Sequence, residues 1–243
     1  MKITAIIPVF DDSEKLKISL ESLKFADEKI VIDNGSTDQS VSVAKKNNAQ
    51  VFYFKGTDFA AMRDIGSKKA KHEWLLFIDA DEIVTPELAS EIKNIPDGFS
   101  AFSLERKNYF YGKAWPKEEK IVRLIKKSAL KGWNGKVHET VNVEGRVGNL
   151  INPILHYTHD DIAHMVNKTN LWSEIEADLR FQNRHPKITV FRLLRVMITG
   201  FWDSYILQKG YKKGIYGFIE ATYQSFSFFI TFAKLWEKQS KKS

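Results

Sequence analysis

At 243 residues, 43% of them apolar and 17 of them Phe, the chain is long enough for one large domain, alone or with an extension. It has no cysteine, which excludes a disulfide framework or a thiolate site and fits a reducing compartment. The net charge of +7 is localised: residues 187–243 carry ten Lys or Arg against Asp203, Glu220 and Glu237, so a neutral body bears a basic, aromatic-rich tail and a localised anionic partner is expected.

In chain order, residues 1–8 form an apolar run too short, and too soon broken by Pro8, for a signal peptide. Residues 3–10 instead predict a strand. Leu16, Leu20 and Leu23 at helical spacing predict a helix over 13–24, with Asp12 or Ser13 as cap. A strand over 29–33 follows, then a helix from a cap at Ser36 or Thr37 to about Asn47. Residues 50–54 predict a third strand and 59–71 a helix. Residues 74–78 (Trp-Leu-Leu-Phe-Ile) are apolar without alternation, as in a strand covered on both faces. Thr85-Pro86-Glu87 is a helix start, with Thr as cap and Pro at the first position. Strands alternating with helices at this spacing predict an α/β fold with a mostly parallel sheet. Residues 99–158 differ, with β-prone pieces at 100–105, 121–125 and 137–143 among glycines and aromatics. From about Asp160 the pattern is helical, over 162–181, 187–209 and 211–238. The expected division is a catalytic domain over 1–158 and a helical extension over 159–243.

The chemistry gathers at strand ends. The fourth strand runs into Asp79-Ala80-Asp81-Glu82, the first into Asp11-Asp12, and the second into Asp33-Asn34-Gly35-Ser36-Thr37. In an α/β sheet such ends form the ligand-binding mouth. Asp79 and Asp81, two apart, can converge on one ion, and their hard oxygens suit Mg²⁺ or Mn²⁺ carrying a diphosphate. Asn34-Gly35 permits a tight turn, and the helix start after it favours anions. No Gly-x-Gly occurs, which argues against NAD and ATP enzymes.

Taken together, Ile7-Pro8-Val9-Phe10-Asp11, Val31-Ile32-Asp33-Asn34-Gly35-Ser36-Thr37-Asp38, Arg63 in Ala60-Ala61-Met62-Arg63-Asp64, and Asp79-Ala80-Asp81 resemble the family 2 glycosyltransferases over roughly residues 1–145. Within them the chain is similar to bacterial lipopolysaccharide-core β-1,4-glucosyltransferases, through Val137-His138-Glu139 and the lysine-bearing helical tail. Asp64 departs from the Asn usual after the family's Arg. The resemblance implies a GT-A nucleotide-diphospho-sugar fold and inverting transfer of a hexose, glucose foremost, from a UDP-sugar to a lipid-linked or lipopolysaccharide-core glycan.

It also implies roles. Pro8, Val9, Phe10 and Asp11 lie beside the nucleoside with Asn34, and Asp33 accepts from the uracil N–H. Asp81 is the foremost ligand for Mn²⁺ or Mg²⁺, while Asp79, with Ala80 between them, holds the ribose or supports the metal. Arg63 is either a fixed cation near the diphosphate or a helix-face residue paired with Asp64 or Glu82. Glu139 is the candidate base that takes the acceptor's proton, desolvated under a loop and so raised in pKa. His138 is a further metal ligand or an orienting neighbour. The stretch 106–115, with Tyr109 and Trp115, is an acceptor-side loop or a hairpin that packs its aromatics inward, and Arg123 faces diphosphate or acceptor.

Residues 218–236 are too polar to span a bilayer, having Glu220, Gln224 and Lys234. An aromatic face between basic flanks predicts an interfacial helix on an anionic leaflet, or else a surface that packs on the catalytic domain or in a homo-oligomer. The enzyme is accordingly expected in the cytoplasm, peripheral on the inner face of the inner membrane. A sugar nucleotidyltransferase would need a glycine-rich loop where Pro8-Val9-Phe10-Asp11 stands. A non-catalytic nucleotide- or RNA-binding module fits poorly, because acidic strand ends repel a polyanion; no nucleic-acid partner is expected.

Overall fold

The computed structural model describes residues 1–56, 58–135, 139–159 and 161–241. They fall into two compact units: Met1–Lys107 with Glu118–His156, and Asn108–Lys117 with Tyr157–Ser243. The stretch 108–117, assigned from the sequence to the first domain, belongs with the second unit.

The order of elements is β1 (Ile3–Val9), α1 (Ser13–Ser22), β2 (Glu28–Asp33), α2 (Ser40–Lys46), β3 (Gln50–Tyr53), α3 (Phe59–Lys69), β4 (Trp74–Phe77), β5 (Glu82–Val84) and α4 (Pro86–Lys93). Then come β6 (Ala101–Phe110), β7 (Lys113–Ala114), β8 (Glu119–Lys126), β9 (Leu130–Asn134), β10 (Thr140–Val143), β11 (Val147–Asn149) and β12 (Ile154–His159). Three helices close the chain: α5 (Ile162–Gln182), α6 (Val190–Trp202) and α7 (Ile215–Ser240).

The main sheet runs β3-β2-β1-β4-β8-β6-β12-β5. Its β3-β2-β1-β4 half is parallel, as the alternating pattern predicts. β8 and β6 then enter antiparallel. The missing alternation in β1 and β4 has a direct cause. Ile3, Ala5, Ile7 and Val9 of β1 pack with Leu16 and Leu20 of α1. Ile6 points the other way, into a cluster with Ile30, Ile32, Phe77 and Met62 of α3. Both faces are covered, so both registers must be apolar. The second cluster is closed by Trp133, Val141 and Val143 of the small β9-β10 sheet. α3 comes so near β1 that a Cβ on Gly66 would lie 2.3 Å from Ile6 Cγ2.

Two helix starts contrast. Thr85 caps α4 as expected, its hydroxyl accepting from the Leu88 N–H. The helix expected from Ser36 or Thr37 begins only at Ser40. The Ser36 and Thr37 N–H groups are engaged by the carboxylates of Asp33 and Asp11, so these residues close a turn.

In the second unit α7 packs against both α5 and α6. Ala177, Ile188, Val196, Phe232 and Leu235 form its core. A Cβ on Gly200 would meet Phe228 at 2.5 Å, so α6 lies close on α7. The single helix expected over 187–209 is broken: α6 ends at Trp202, a π turn covers Asp203–Leu207, and Lys209 turns left-handed with φ 62°. Residues 106–115 take the hairpin form of their two expected alternatives, with Tyr109 opposite Ala114.

Candidate active site

Where β4 ends, Asp79 sits between two buried arginines. Arg63, on the inward face of α3 and 1% exposed, donates from Nη2 to Asp79 Oδ1 at 2.6 Å and from Nε to Glu139 Oε1 at 2.8 Å. Its guanidinium lies 4.9 Å from the Trp133 ring centroid, a cation–π contact. Arg123, on β8, donates from Nη2 to Asp79 Oδ2 at 2.7 Å and to Glu82 Oε1 at 2.9 Å. Arg106, on β6, continues the row to Glu82 at 3.4 Å and to Glu119. The result is an alternating line, Glu139–Arg63–Asp79–Arg123–Glu82–Arg106–Glu119, that crosses from α3 over three strands.

Alternation is what makes these charges tolerable away from water. Burial opposes ionisation of Asp79, yet Arg123 and then Arg63 hold its carboxyl well below the usual carboxylate range. Burial likewise works against the charge on Arg123, and Asp79 and Glu82 outweigh it, pushing the guanidinium above the ordinary arginine value. Arg106 follows the same pattern, with burial opposed by Glu82 and Glu119. Glu82 also accepts the Asp79 N–H at 2.8 Å, which fixes the turn between β4 and β5.

Beside this line, β12 pairs antiparallel with β5 and sets His156 opposite Glu82. His156 Nε2 thereby comes 3.3 Å from Asp81 Oδ1. The pair offers a carboxylate oxygen and an imidazole nitrogen at one place, a donor set that suits Mn²⁺ better than the oxygen-seeking Mg²⁺. Water and phosphate oxygens are needed for the remaining positions, since no group of three such side chains occurs among the described residues. Asp79 has each of its two oxygens engaged by an arginine.

The other residues singled out from sequence divide. Pro8 and Val9 are buried in β1, and Phe10 and Asp11 stand at its exposed end. Asp11 takes a left-handed φ of 46°, and its carboxylate accepts from the Thr37 N–H at 2.6 Å and the Asp38 N–H at 3.2 Å. Asn34 Oδ1 accepts from the Gly56 N–H at 3.0 Å. Asp33 was expected open to a base; it is 1% exposed, and its carboxylate accepts from the Gly35 and Ser36 N–H groups. Arg63 pairs with neither Asp64 nor Glu82 and is too deeply buried to stand as an open cation. Glu139, expected to be desolvated, has a guanidinium partner. Arg123 is buried against Asp79 and Glu82, with its Nε left without a hydrogen-bond partner among the described residues. Trp115 is buried too, donating to Gln208 Oε1 at 2.9 Å, and Tyr109 stacks on Tyr157, both within the second unit. Trp115 packs inward, while Tyr109 is half-buried. His138 lies outside the described residues, and Ala80 is buried between the two aspartates.

Trp133 and His156 were missed from sequence, since each is brought in by a strand pairing. Glu82 was read only as part of the acidic strand end, and Arg106 only as part of the 106–115 stretch.

The family model described as glycosyl transferase family 2 matches residues 4–199. An uncharacterized glycosyltransferase of Rickettsia prowazekii is 29% identical over 254 residues, covering 96% of this chain and 86% of that protein. LpsC of Rhizobium meliloti, a lipopolysaccharide core biosynthesis glycosyltransferase, is 25% identical over 260 residues, covering 100% and 95%. Among solved structures, TarS of S. aureus superposes with a TM-score of 0.50 at 14% identity, covering 88% of this chain and 46% of that one. That likeness bears on the fold alone: a GT-A architecture.

Proposed function

The chain belongs to glycosyl transferase family 2, and from that premise we propose that it performs inverting transfer of a hexose, glucose foremost, from a UDP-sugar to a lipid-linked glycan of the lipopolysaccharide-core kind. The observation that carries the reading is the Arg63 bridge. It joins Asp79 of the acidic motif to Glu139, the candidate base, through one guanidinium. Two acids from distant parts of the sequence are thereby held at a fixed spacing, as a reaction needs when the donor is gripped at one end and a proton removed at the other.

In the proposed reaction the Glu139 carboxylate takes the proton of an acceptor hydroxyl. That oxygen forms its bond to the anomeric carbon from the face opposite the diphosphate, the carbon–diphosphate oxygen bond breaks, and UDP leaves with the electron pair. Arg63 and Arg123 act as positioning residues through Asp79, Glu82 and Glu139, while Arg63 Nη1 and Arg123 Nε keep no hydrogen-bond partner among the described residues. The Phe10–Asp11 edge and Asn34 border the nucleoside, and Asp33 shapes the turn beside them. Asp81 and His156, with His138 a further candidate, would hold a divalent cation that spreads the charge gathering on the departing diphosphate. LpsC's full-length similarity supports the acceptor class, and in this reading the enzyme works peripherally at the cytoplasmic face of the inner membrane.

The test is UDP release from a panel of UDP- and GDP-sugars, with and without Mn²⁺. Metal-dependent turnover of one UDP-sugar, lost in Asp81→Ala, is expected, with stimulation by a lipid-linked acceptor extract that Glu139→Gln abolishes. No turnover of any donor with that extract present would refute the reading.

A further inference from the structure

We infer that the outer face of α6 and the turn after it dock the enzyme onto an anionic phospholipid leaflet. Val190, Phe191, Leu194, Ile198 and Trp202 are each 53 to 76% exposed. Their spacing places them on one stripe of α6, about 120° wide at 100° per residue. The opposite side of the helix, with Val196 and Gly200 buried, is seated on α7. The stripe is therefore not an unfilled core position; its helix is already packed by its other face. The chain then adds Leu207, Tyr211 and Ile215, all exposed. A contiguous apolar surface of this kind marks an interaction site.

Charge selects the occupant. Between residues 187 and 219 there are six cations, Lys187, Arg192, Arg195, Lys209, Lys212 and Lys213, and Asp203 is the single acid. Arg195 lies along one flank of the stripe, and the three lysines after Gln208 lie in the turn beyond its end. Apolar and aromatic side chains bordered by cations suit insertion among acyl chains under anionic headgroups. No helix among the described residues is long and apolar enough to cross a bilayer, so this surface lies on the membrane. The sequence pointed to residues 218–236 as the interfacial helix, with Phe191, Leu194, Val196, Phe201 and Trp202 extending the patch. In the structure α7 packs on α5 and α6, Val196 is buried, and the barest stripe is on α6. A groove of about 310 Å³ between Leu194, Met197, Phe201 and Trp202 of α6 and Thr222 and Ser225 of α7 adjoins the stripe.

The inference deepens the lipid-borne-acceptor reading, yet its assay contains no donor sugar, so either can fail alone. The full chain is floated with phosphatidylcholine vesicles, with and without 30% phosphatidylglycerol, at low and high salt. Binding to the anionic vesicles, weakened by salt, is expected. Phe191→Ser/Trp202→Ser should lower the partition coefficient at least about tenfold. Removing one cation, as in Arg195→Gln, should lower it about fivefold, while Ile151→Ser, an equally exposed change in the first unit, should not alter it. Since every substituted side chain is on the surface, far-UV spectra and donor hydrolysis should match the native chain. Equal binding to both vesicle types, no binding to either, or binding that survives the α6 substitutions would overturn the inference. So would a dimer in sedimentation dissolved by those substitutions in the absence of vesicle binding, which would give the face to a second copy.

Discussion

Replacing Arg63 with Met removes the guanidinium that joins Asp79 to Glu139 while keeping an unbranched side chain beside Trp133. Each of the two lost charge-assisted bonds contributes about 1.5–3 kcal/mol. Asp79 keeps Arg123 at 2.7 Å, whereas Glu139 loses its ion-pair partner. Breaking a buried pair costs about 3–5 kcal/mol. With Glu139 and Asp79 15% and 27% exposed, water offsets part of that, and about 3 kcal/mol is expected. Glu139→Gln still accepts from Arg63 Nε and should cost about 1 kcal/mol. The double variant should then be less destabilised than the sum of the singles by about 1–2 kcal/mol, read from urea unfolding. Turnover supplies a readout that a purely structural role would not move. Glu139→Gln should lower kcat by about 10²–10⁴, and Arg63→Met by about 10–100-fold through a misplaced base. Adding Arg63→Met to Glu139→Gln should lower it by less than about threefold further, because residues acting as a unit are not additive. Additive stability within about 0.5 kcal/mol, together with an undiminished loss of turnover when Arg63→Met is added to Glu139→Gln, would refute the bridge as a device for placing the base.

Glu220, buried on α7, is pushed up to about 7 by burial, against the lowering effect of its Gln224 hydrogen bond. A folded value above the ordinary 4.5 means that the native state binds the proton more tightly, so this stability is full below pH 4.5 and lost as pH rises through 7. Glu220→Gln should thus leave unfolding nearly unchanged at pH 4.5 and stabilise the chain by up to about 3 kcal/mol at pH 8; equal stability of the two proteins at pH 8 contradicts the assignment. Gly66→Ala, whose new methyl would lie 2.3 Å from Ile6 Cγ2, should destabilise by about 1–3 kcal/mol despite Ala's better helix propensity, and a urea midpoint at or above native would show that α3 is free to retreat. Thr85→Ala removes the cap on the Leu88 N–H and should cost about 1 kcal/mol in the same assay. His156→Ala should raise the Mn²⁺ concentration for half-maximal UDP release at least about tenfold; an unchanged metal titration would remove His156 from the metal set.

The parallel half of the sheet was legible because its signals are local. Ile3 to Val9 and Trp74 to Phe77 are apolar in both registers since both faces are covered, and Thr85-Pro86 states a helix start outright. The acidic strand ends were legible for the same reason: a carboxylate after an apolar run marks the mouth of such a sheet wherever it occurs. The start of α2 was not legible, because Ser36 and Thr37 look like caps until Asp33 and Asp11 take their N–H groups. Nor was the fate of the aromatics in residues 106–115, since one hairpin can turn its rings either way. Trp115 turns inward, where Phe110 packs on its ring and Gln208 accepts from its indole N–H.

By itself, then, the sequence determined the β–α alternation, the acidic mouth and the excess charge of the tail, all set by contacts between near neighbours or by composition. The tertiary structure alone decided which charge meets which. Arg63 lies 16 residues from Asp79 and 76 from Glu139, and Arg123 lies 44 from Asp79. Each could have faced water or an acid next door. Burial favours these pairings, because a guanidinium away from water is stabilised by carboxylates on its donors, and the packing of α3 and β8 at the end of β4 brings these acids within reach.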